Sequence, residues 1–277
     1  MKRAFIFILT TVLLKIVVFI SCVENEDENV VSKITMITAN SDNVKIYFGG
    51  SGKCTFDWGD GTSEFQILSS YPGQFYSHSY ERTFVHTITI TYEKITHIEC
   101  NEKQFSSLNL SGCTTLKQLY CRDSQLMNLD LNGCVALESL TCYDTQLKNL
   151  DVSSCKALMF LRCYNNSQLT NLDVSGCQGL IQMSCIGSQL TNLDISVCTN
   201  LTLLNCNNNN LVNINVKGCK RLTSFFCRFN QLYADALDNL FRMLDSDAEN
   251  KTIYIDGNPG IDDCNPSIAT EKGWTFL

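Results

Sequence analysis

The sequence predicts a mostly β protein: a solenoid of about seven coils of 21–22 residues, preceded by a small β-sandwich and closed by an α/β C-terminal cap. Three observations carry this. The phrases "TCYDTQLKNLDVSSC" from Thr141, "RCYNNSQLTNLDVSGC" from Arg162 and "SCIGSQLTNLDISVC" from Ser184 are variants of one unit. Cysteines recur in two series, Cys100, Cys121, Cys142, Cys163, Cys185, Cys206, Cys227 and Cys113, Cys134, Cys155, Cys177, Cys198, Cys219, each stepping by 21 with a single step of 22. A fixed period in this range is the signature of stacked repeats. Ahead of the repeats, "KIYFGG", "CTFDWGDGT" and "HTITITY" alternate with the period of two expected of strands.

Residues 1–21 read as an export signal. Lys2 and Arg3 precede the apolar "AFIFILTTVLL" and "IVVFIS", and Lys15 interrupts the run, which argues against a durable membrane span. Phe19-Ile20-Ser21-Cys22 resembles a bacterial lipobox, which implies lipidation of Cys22 as the mature N-terminus. The acidic residues 22–29 then form a solvated tether. In Gram-negative gut anaerobes similar acidic runs accompany export to the outer face of the outer membrane, so the resemblance implies a surface-exposed, lipid-anchored protein that meets the membrane only through its anchor. Loss of residues 1–21 takes the formal charge from −7 to −10, because Lys2, Arg3 and Lys15 leave with them. Such a chain is a poor nucleic-acid binder, which would want clustered Lys and Arg.

Residues 30–92 supply the β-sandwich. Phe56-Asp57-Trp58-Gly59-Asp60-Gly61-Thr62 and His78-Ser79-Tyr80 resemble the PKD-type domain, although the order F-D-W-G-D-G and the missing glycine after the tyrosine depart from its pattern. Trp58 is expected in the core and Asp60-Gly61 in a tight turn. Asp57 and Asp60 as calcium ligands are the sharper alternative, without a third acidic partner in sequence.

Residues 95–232 form the solenoid. The aligned unit, L-x-x-L-x-C-x-x-x-x-L-x-x-L-D-[VLI]-S-G-C-x-x, resembles the leucine-rich repeat with Cys at its third apolar position, and more closely the short repeats of leucine-rich-repeat surface lipoproteins of gut-anaerobe type. It departs where Ser124, Thr145 and Ser188 stand in place of Asn. Period-two alternation points Leu119 and Cys121 inward and Tyr120 outward, and Leu129-Asp130-Leu131 predicts extended backbone on the opposite wall.

The cysteine spacings of 8 and 13 do not match the paired spacing of a zinc site. The expected state is buried reduced thiol, a small apolar filler. A bond between adjacent rungs is disfavoured, because coils about 4.8 Å apart hold parallel Cβ atoms wider than a disulfide prefers. Asp130, Asp151, Asp173 and Asp194 form a third ladder, ended by Asn109 and Asn215. Each is expected to bond backbone N–H or hydroxyl groups two residues on. No cofactor is expected; calcium on this ladder is the alternative, against which stands the lack of glycine around each Asp.

Residues 233–277 form the cap. Leu237, Leu240, Phe241 and Leu244 have helical spacing, "KTIYIDGNPG" reads as strand and turn, and "NPSIATEKGWTFL" as a short helix and closing strand.

No nucleophile–base pairing, G-x-S-x-G, H-E-x-x-H or phosphate loop is legible, so the chain reads as a non-enzyme. The outward positions flanking the strand cysteines are the candidate site. Tyr120, Arg122, Tyr143, Phe160, Arg162, Tyr164, Phe226 and Arg228 place aromatics and arginines, the types enriched in binding hot spots, on one sheet face. Partners are an extracellular protein, in adhesion or host contact, or alternatively a glycan for nutrient capture; a structural role in the cell envelope is the third reading. Mere cross-coil pairing of exposed aromatics is the counter-reading.

Overall fold

In the computed structural model, residues 32–39, 41–70, 73–102, 104–246 and 250–277 are described. The signal segment, Cys22 and the acidic tether lie outside them. Numbered along the chain, the N-terminal strands are β1 (Ser32–Thr38), β2 (Ser41–Asp57), β3 (Ser63–Leu68), β4 (Gln74–Phe84) and β5 (Thr87–Glu99). After β6 (Phe105–Asn109), each coil contributes a front strand and a back strand of three residues. The front strands are β7 (Gln118–Tyr120), β9 (Ser139–Thr141), β11 (Phe160–Arg162), β13 (Gln182–Ser184), β15 (Leu203–Asn205) and β17 (Ser224–Phe226). The back strands are β8 (Asn128–Asp130), β10 (Asn149–Asp151), β12 (Asn171–Asp173), β14 (Asn192–Asp194) and β16 (Asn213–Asn215). The cap holds α1 (Ala234–Met243), β18 (Lys251–Tyr254), α2 (Ser267–Thr270) and β19 (Trp274–Phe276).

The front strands stack in parallel and in register, so equivalent residues of successive coils are direct neighbours. Leu119, Leu140, Leu161, Met183, Leu204 and Phe225 point inward and are buried, and both cysteine series lie in the same core. Each coil therefore covers its apolar face only against its neighbours. The solenoid has about eight turns, because β18 and β19 continue the front sheet past the last cysteine coil. In β18, Ile253 and Ile255 fill the positions that Leu and Cys hold elsewhere.

The N-terminal strands are hydrogen-bonded into that same sheet. β5 pairs antiparallel with β1 and β2 along most of its length, and its last residues, His97–Glu99, pair in parallel with β7. The joint expected between residues 92 and 95 thus falls inside one strand. β1 pairs with β6 as well, so the sheet wraps over the end of the solenoid core. Tyr92 marks the seal: its hydroxyl donates to the Cys113 thiol, the first rung of the second ladder, at 2.9 Å. Trp58 is buried as expected, stacked between Phe56 and His78. Asp57 and Asp60 close the turn between β2 and β3, accepting the Gly59 and Thr62 amides.

At the other end, α1 buries Leu237, Leu240 and Phe241 as its spacing predicts. Its last carbonyls are gathered by the Lys272 ammonium, which donates to Phe241, Arg242 and Leu244 at 3.2, 2.6 and 2.8 Å. A cation there also opposes the negative end of the helix dipole. No helix among the described residues is long and apolar enough to cross a membrane.

Candidate functional site: the front sheet face

The two cysteine ladders are packing. All fifteen cysteines among the described residues are free thiols. In the second ladder, Cys134, Cys177 and Cys219 donate to Leu110, Val152 and Ile195 carbonyls of the preceding coil at 3.2–3.3 Å. Burial pushes Cys121 and Cys185 up to about 12, and Cys142, Cys163 and Cys206 well above the ordinary thiol value. Protonated thiols of this kind are poor nucleophiles and poor metal ligands.

The aspartate ladder is closed within each coil. Asp130, Asp151, Asp173 and Asp194 accept the amides of Asn132, Ser153, Ser175 and Ser196, two residues on, at 2.8–2.9 Å. Asn109 and Asn215 do the same with Ser111 and Lys217, which is why Asn serves at either end. Among the described residues no three His, Cys, Asp or Glu side chains converge on a point that could hold a metal ion.

A fourth ladder, of asparagine, runs through the position at which Ser124, Thr145 and Ser188 stand in other coils. Three residues after the strand cysteine, or after Ile255, stand Asn166, Asn209, Asn230 and Asn258, all buried. Asn209 and Asn230 each donate to carbonyls of their own coil and the preceding one, and each accepts a backbone amide of the preceding coil. Where Ser stands instead, at Ser124 and Ser188, the hydroxyl is buried without a partner. The sequence marked this position through its Ser and Thr variants; the Cys-x-x-Asn spacing at Asn166, Asn209 and Asn230 carried the ladder itself.

The outward face resolves into three rows along the solenoid axis. His97, Gln118, Ser139, Phe160, Gln182, Leu203 and Ser224 form one; Glu99, Tyr120, Thr141, Arg162, Ser184, Asn205, Phe226 and Tyr254 the next. The third is the position after the cysteine, Asn101, Arg122, Tyr143, Tyr164, Ile186, Asn207 and Arg228. Neighbours within a row stand about 4.8 Å apart, close enough for rings to stack.

Six of the eight predicted residues come together on the coils of β7, β9 and β11. Tyr120 stacks on His97, with ring centroids 5.4 Å apart. Burial lowers the His97 pKa, so that ring is neutral at pH 7. Arg122 donates to the Tyr143 hydroxyl at 3.2 Å and lies 4.0 Å from Glu99, and Tyr143 stacks on Tyr164 at 4.4 Å and 10°. Phe160 and Arg162 share β11 with them, in the first and second rows. Phe226 and Arg228 form a separate cluster, about 14 Å further along by coil spacing. There Phe226 stacks on Tyr254 at 4.4 Å, while Arg228 covers the Tyr254 ring and pairs with Asp256 at 2.7 Å. The sequence reading missed Tyr254 because its coil carries Ile255 where the others carry Cys.

Two further residues flanking the strand cysteines do not present their side chains on the open face. Phe229 lies off the face, in the turn beyond it, with a left-handed φ of 54° and its ring against Gly257. Thr141 is on the face but only 5% exposed, and its hydroxyl is buried without a partner. An unpaired buried hydroxyl costs on the order of 1–3 kcal/mol.

No protein-family profile matches the chain, and no curated protein matches it. Solved structures with similar folds are the functional domain of InlJ from Listeria monocytogenes, which includes a cysteine ladder, the leucine-rich-repeat protein LIC12759 of Leptospira interrogans, and the internalin InlF of Listeria monocytogenes. The first is 23% identical over 56% of this chain and 35% of its own, with a TM-score of 0.48. The Leptospira protein is 18% identical over 57% and 52%, TM-score 0.30, and InlF 18% over 60% and 68%, TM-score 0.31. The chain thus spans about a third of the InlJ domain and about half of the Leptospira protein. The solenoid architecture is read from this chain's own strand register, with parallel front strands stacked coil on coil.

Proposed function

We propose that the chain is a non-catalytic binding protein, exported and lipid-anchored through Cys22 to the outer face of an outer membrane, that recognises a protein ligand with its front sheet face in adhesion or host contact. The observation that carries this reading is the gathering of Tyr120, Arg122, Tyr143, Phe160, Arg162 and Tyr164 on three adjacent coils. Rigid aromatics beside arginines make strong contacts at small entropic cost.

The alternative, glycan capture, finds less support. A sugar ring packs on an open aromatic face, but Tyr143 and Tyr164 face each other, with Arg122 and Ile186 next in the row on either side. On this reading residues 30–92, which follow the anchor along the chain, serve as a PKD-like spacer.

The test presents the full chain to a glycan array and, in parallel, to purified mucosal surface proteins. Protein binding that is lost on Tyr143→Ala with Arg162→Ala supports the reading; protein binding unchanged by both moves the site off this face, and glycan binding alone sinks it. Radiolabelled palmitate incorporation that survives Cys22→Ala would refute the anchor.

A further inference from the structure

Three arginines stand on the front face, and two of them are held: Arg122 by the Tyr143 hydroxyl with Glu99 at 4.0 Å, Arg228 by Asp256 and the Leu277 carbonyl. The Arg162 side chain is exposed and makes no hydrogen bond or ion pair among the described residues. Its register partner on β9 is Thr141, whose buried hydroxyl also has no partner. A buried hydroxyl without a partner and a solvent-facing guanidinium without an acidic partner thus stand side by side on adjacent coils.

The buried hydroxyl is not explained by folding. Valine would fill the volume of Thr141 without an orphan hydroxyl, and buried polar groups are otherwise nearly always paired. On the other side of Thr141 stands Tyr120, so aromatic and basic side chains flank the hydroxyl along its row. Across the three rows from β7 to β15 there are two arginines and no carboxylate, on a chain whose formal charge is −7. Acids flank these rows at Glu99, beside Arg122, at Glu138, paired with Lys117 just before β9, and at Asp123 and Asp144 in the turns beyond the third row.

We infer that Thr141 and Arg162 form a carboxylate clamp that takes an Asp or Glu side chain from an extended segment of the protein partner. The exposed guanidinium supplies charge-assisted donors in a fork that matches a carboxylate, and the buried Thr141 hydroxyl supplies one more once its row neighbours Tyr120 and Arg162 part to admit the ligand. Tyr120 and Phe160 flank the pair and exclude water from it, as surrounding contacts do at a hot spot. A peptide carboxylate is favoured over an acidic sugar because the tyrosines beside the clamp are stacked along their row and present no open ring face. The inference rests on the reading of this face as a protein-binding surface.

The experiment pans a displayed dodecapeptide library on the intact chain and measures the enriched peptides as synthetic pairs differing by Glu→Gln or Asp→Asn. The expected result is enrichment of acidic peptides, with affinity reduced about tenfold or more by neutralising the acid and by Arg162→Gln, as for a charged hydrogen-bonded pair. The two losses are not additive when combined. Thr141→Val weakens binding while its melting midpoint stays at or above that of the parent chain, and Thr141→Ser retains binding, a split that damage to the fold would not produce. Enriched peptides without acids, or acidic peptides that bind Arg162→Gln unchanged, overturn the clamp yet leave protein recognition standing. No peptide enrichment, with uronic acid oligosaccharides binding in an Arg162-dependent way, overturns the clamp and the protein reading together.

Discussion

The coils from β7 to β13 and those from β15 to β18 share one period and one core, yet they satisfy their buried polar groups differently. In the C-terminal set, Asn209, Asn230 and Asn258 each bond backbone groups of two coils. In the N-terminal set the same position holds Ser124, Thr145, Asn166 and Ser188, and only Asn166 completes a comparable set, including the Thr145 hydroxyl and amide. The unpaired hydroxyls of Ser124, Thr141 and Ser188 all fall in these coils, which also carry the aromatic and basic cluster. Regular repetition builds stability, and departures from it collect where another requirement acts.

The comparison can be broken most severely at Asn230. Asn230→Ala leaves the Leu211 amide without a side-chain partner in the core and takes one donor from the Cys206 and Cys227 carbonyls, which keep Asn209 and Asn258, and should lower stability by about 2 kcal/mol, read from the urea midpoint. A loss no larger than that of Ser124→Ala would show that the asparagine ladder is not what separates the two halves. Ser188→Asn, which offers a donor to the Cys163 and Cys185 carbonyls, should gain about 1 kcal/mol. Thr141→Val should leave the unfolding midpoint unchanged or raise it slightly, since it removes an orphan hydroxyl without changing volume.

The smallest effect lies on the back wall. Hydrogen bonds from the amide and hydroxyl of Ser196 hold Asp194 below the ordinary carboxylate value. Its charged form is the one the fold favours, so its contribution is present above the unfolded pKa of about 3.9 and is lost as pH falls through the lower folded value. Thermal unfolding followed from pH 5 down to pH 2 should therefore steepen less in Asp194→Asn than in the parent chain. The neighbouring amide bond persists in that variant, as it does naturally at Asn215, so stability at pH 7 should change by less than about 0.5 kcal/mol.

Most of the fold was legible because its information is local and repeated. Cysteine periodicity set the coil length, alternation in "LYC" and its equivalents set inside from outside, and the Asp-x-Ser spacing set the back-wall turns. The helix of the cap followed from Leu237, Leu240 and Phe241 in the same way. The wrapped N-terminal sheet was not legible, since β1 meets β6 across about 70 residues and nothing in either strand specifies that pairing. The candidate site was legible as a set of residues and not as an arrangement. Six of its members gather, two stand apart, and Thr141 goes under.

By itself the sequence determined the coil, its inward and outward positions, and which side chains reach the front face, because a repeat with period-two alternation leaves those choices no freedom. Only the tertiary structure decided which neighbours satisfy one another. Arg122 and Arg162 are equivalent in type and close in the fold, yet one is bound to Tyr143 and the other is free. That difference arises from what stands in the adjacent coil at each row, since hydrogen bonds and ring stacking depend on distance and direction and no single coil contains both partners.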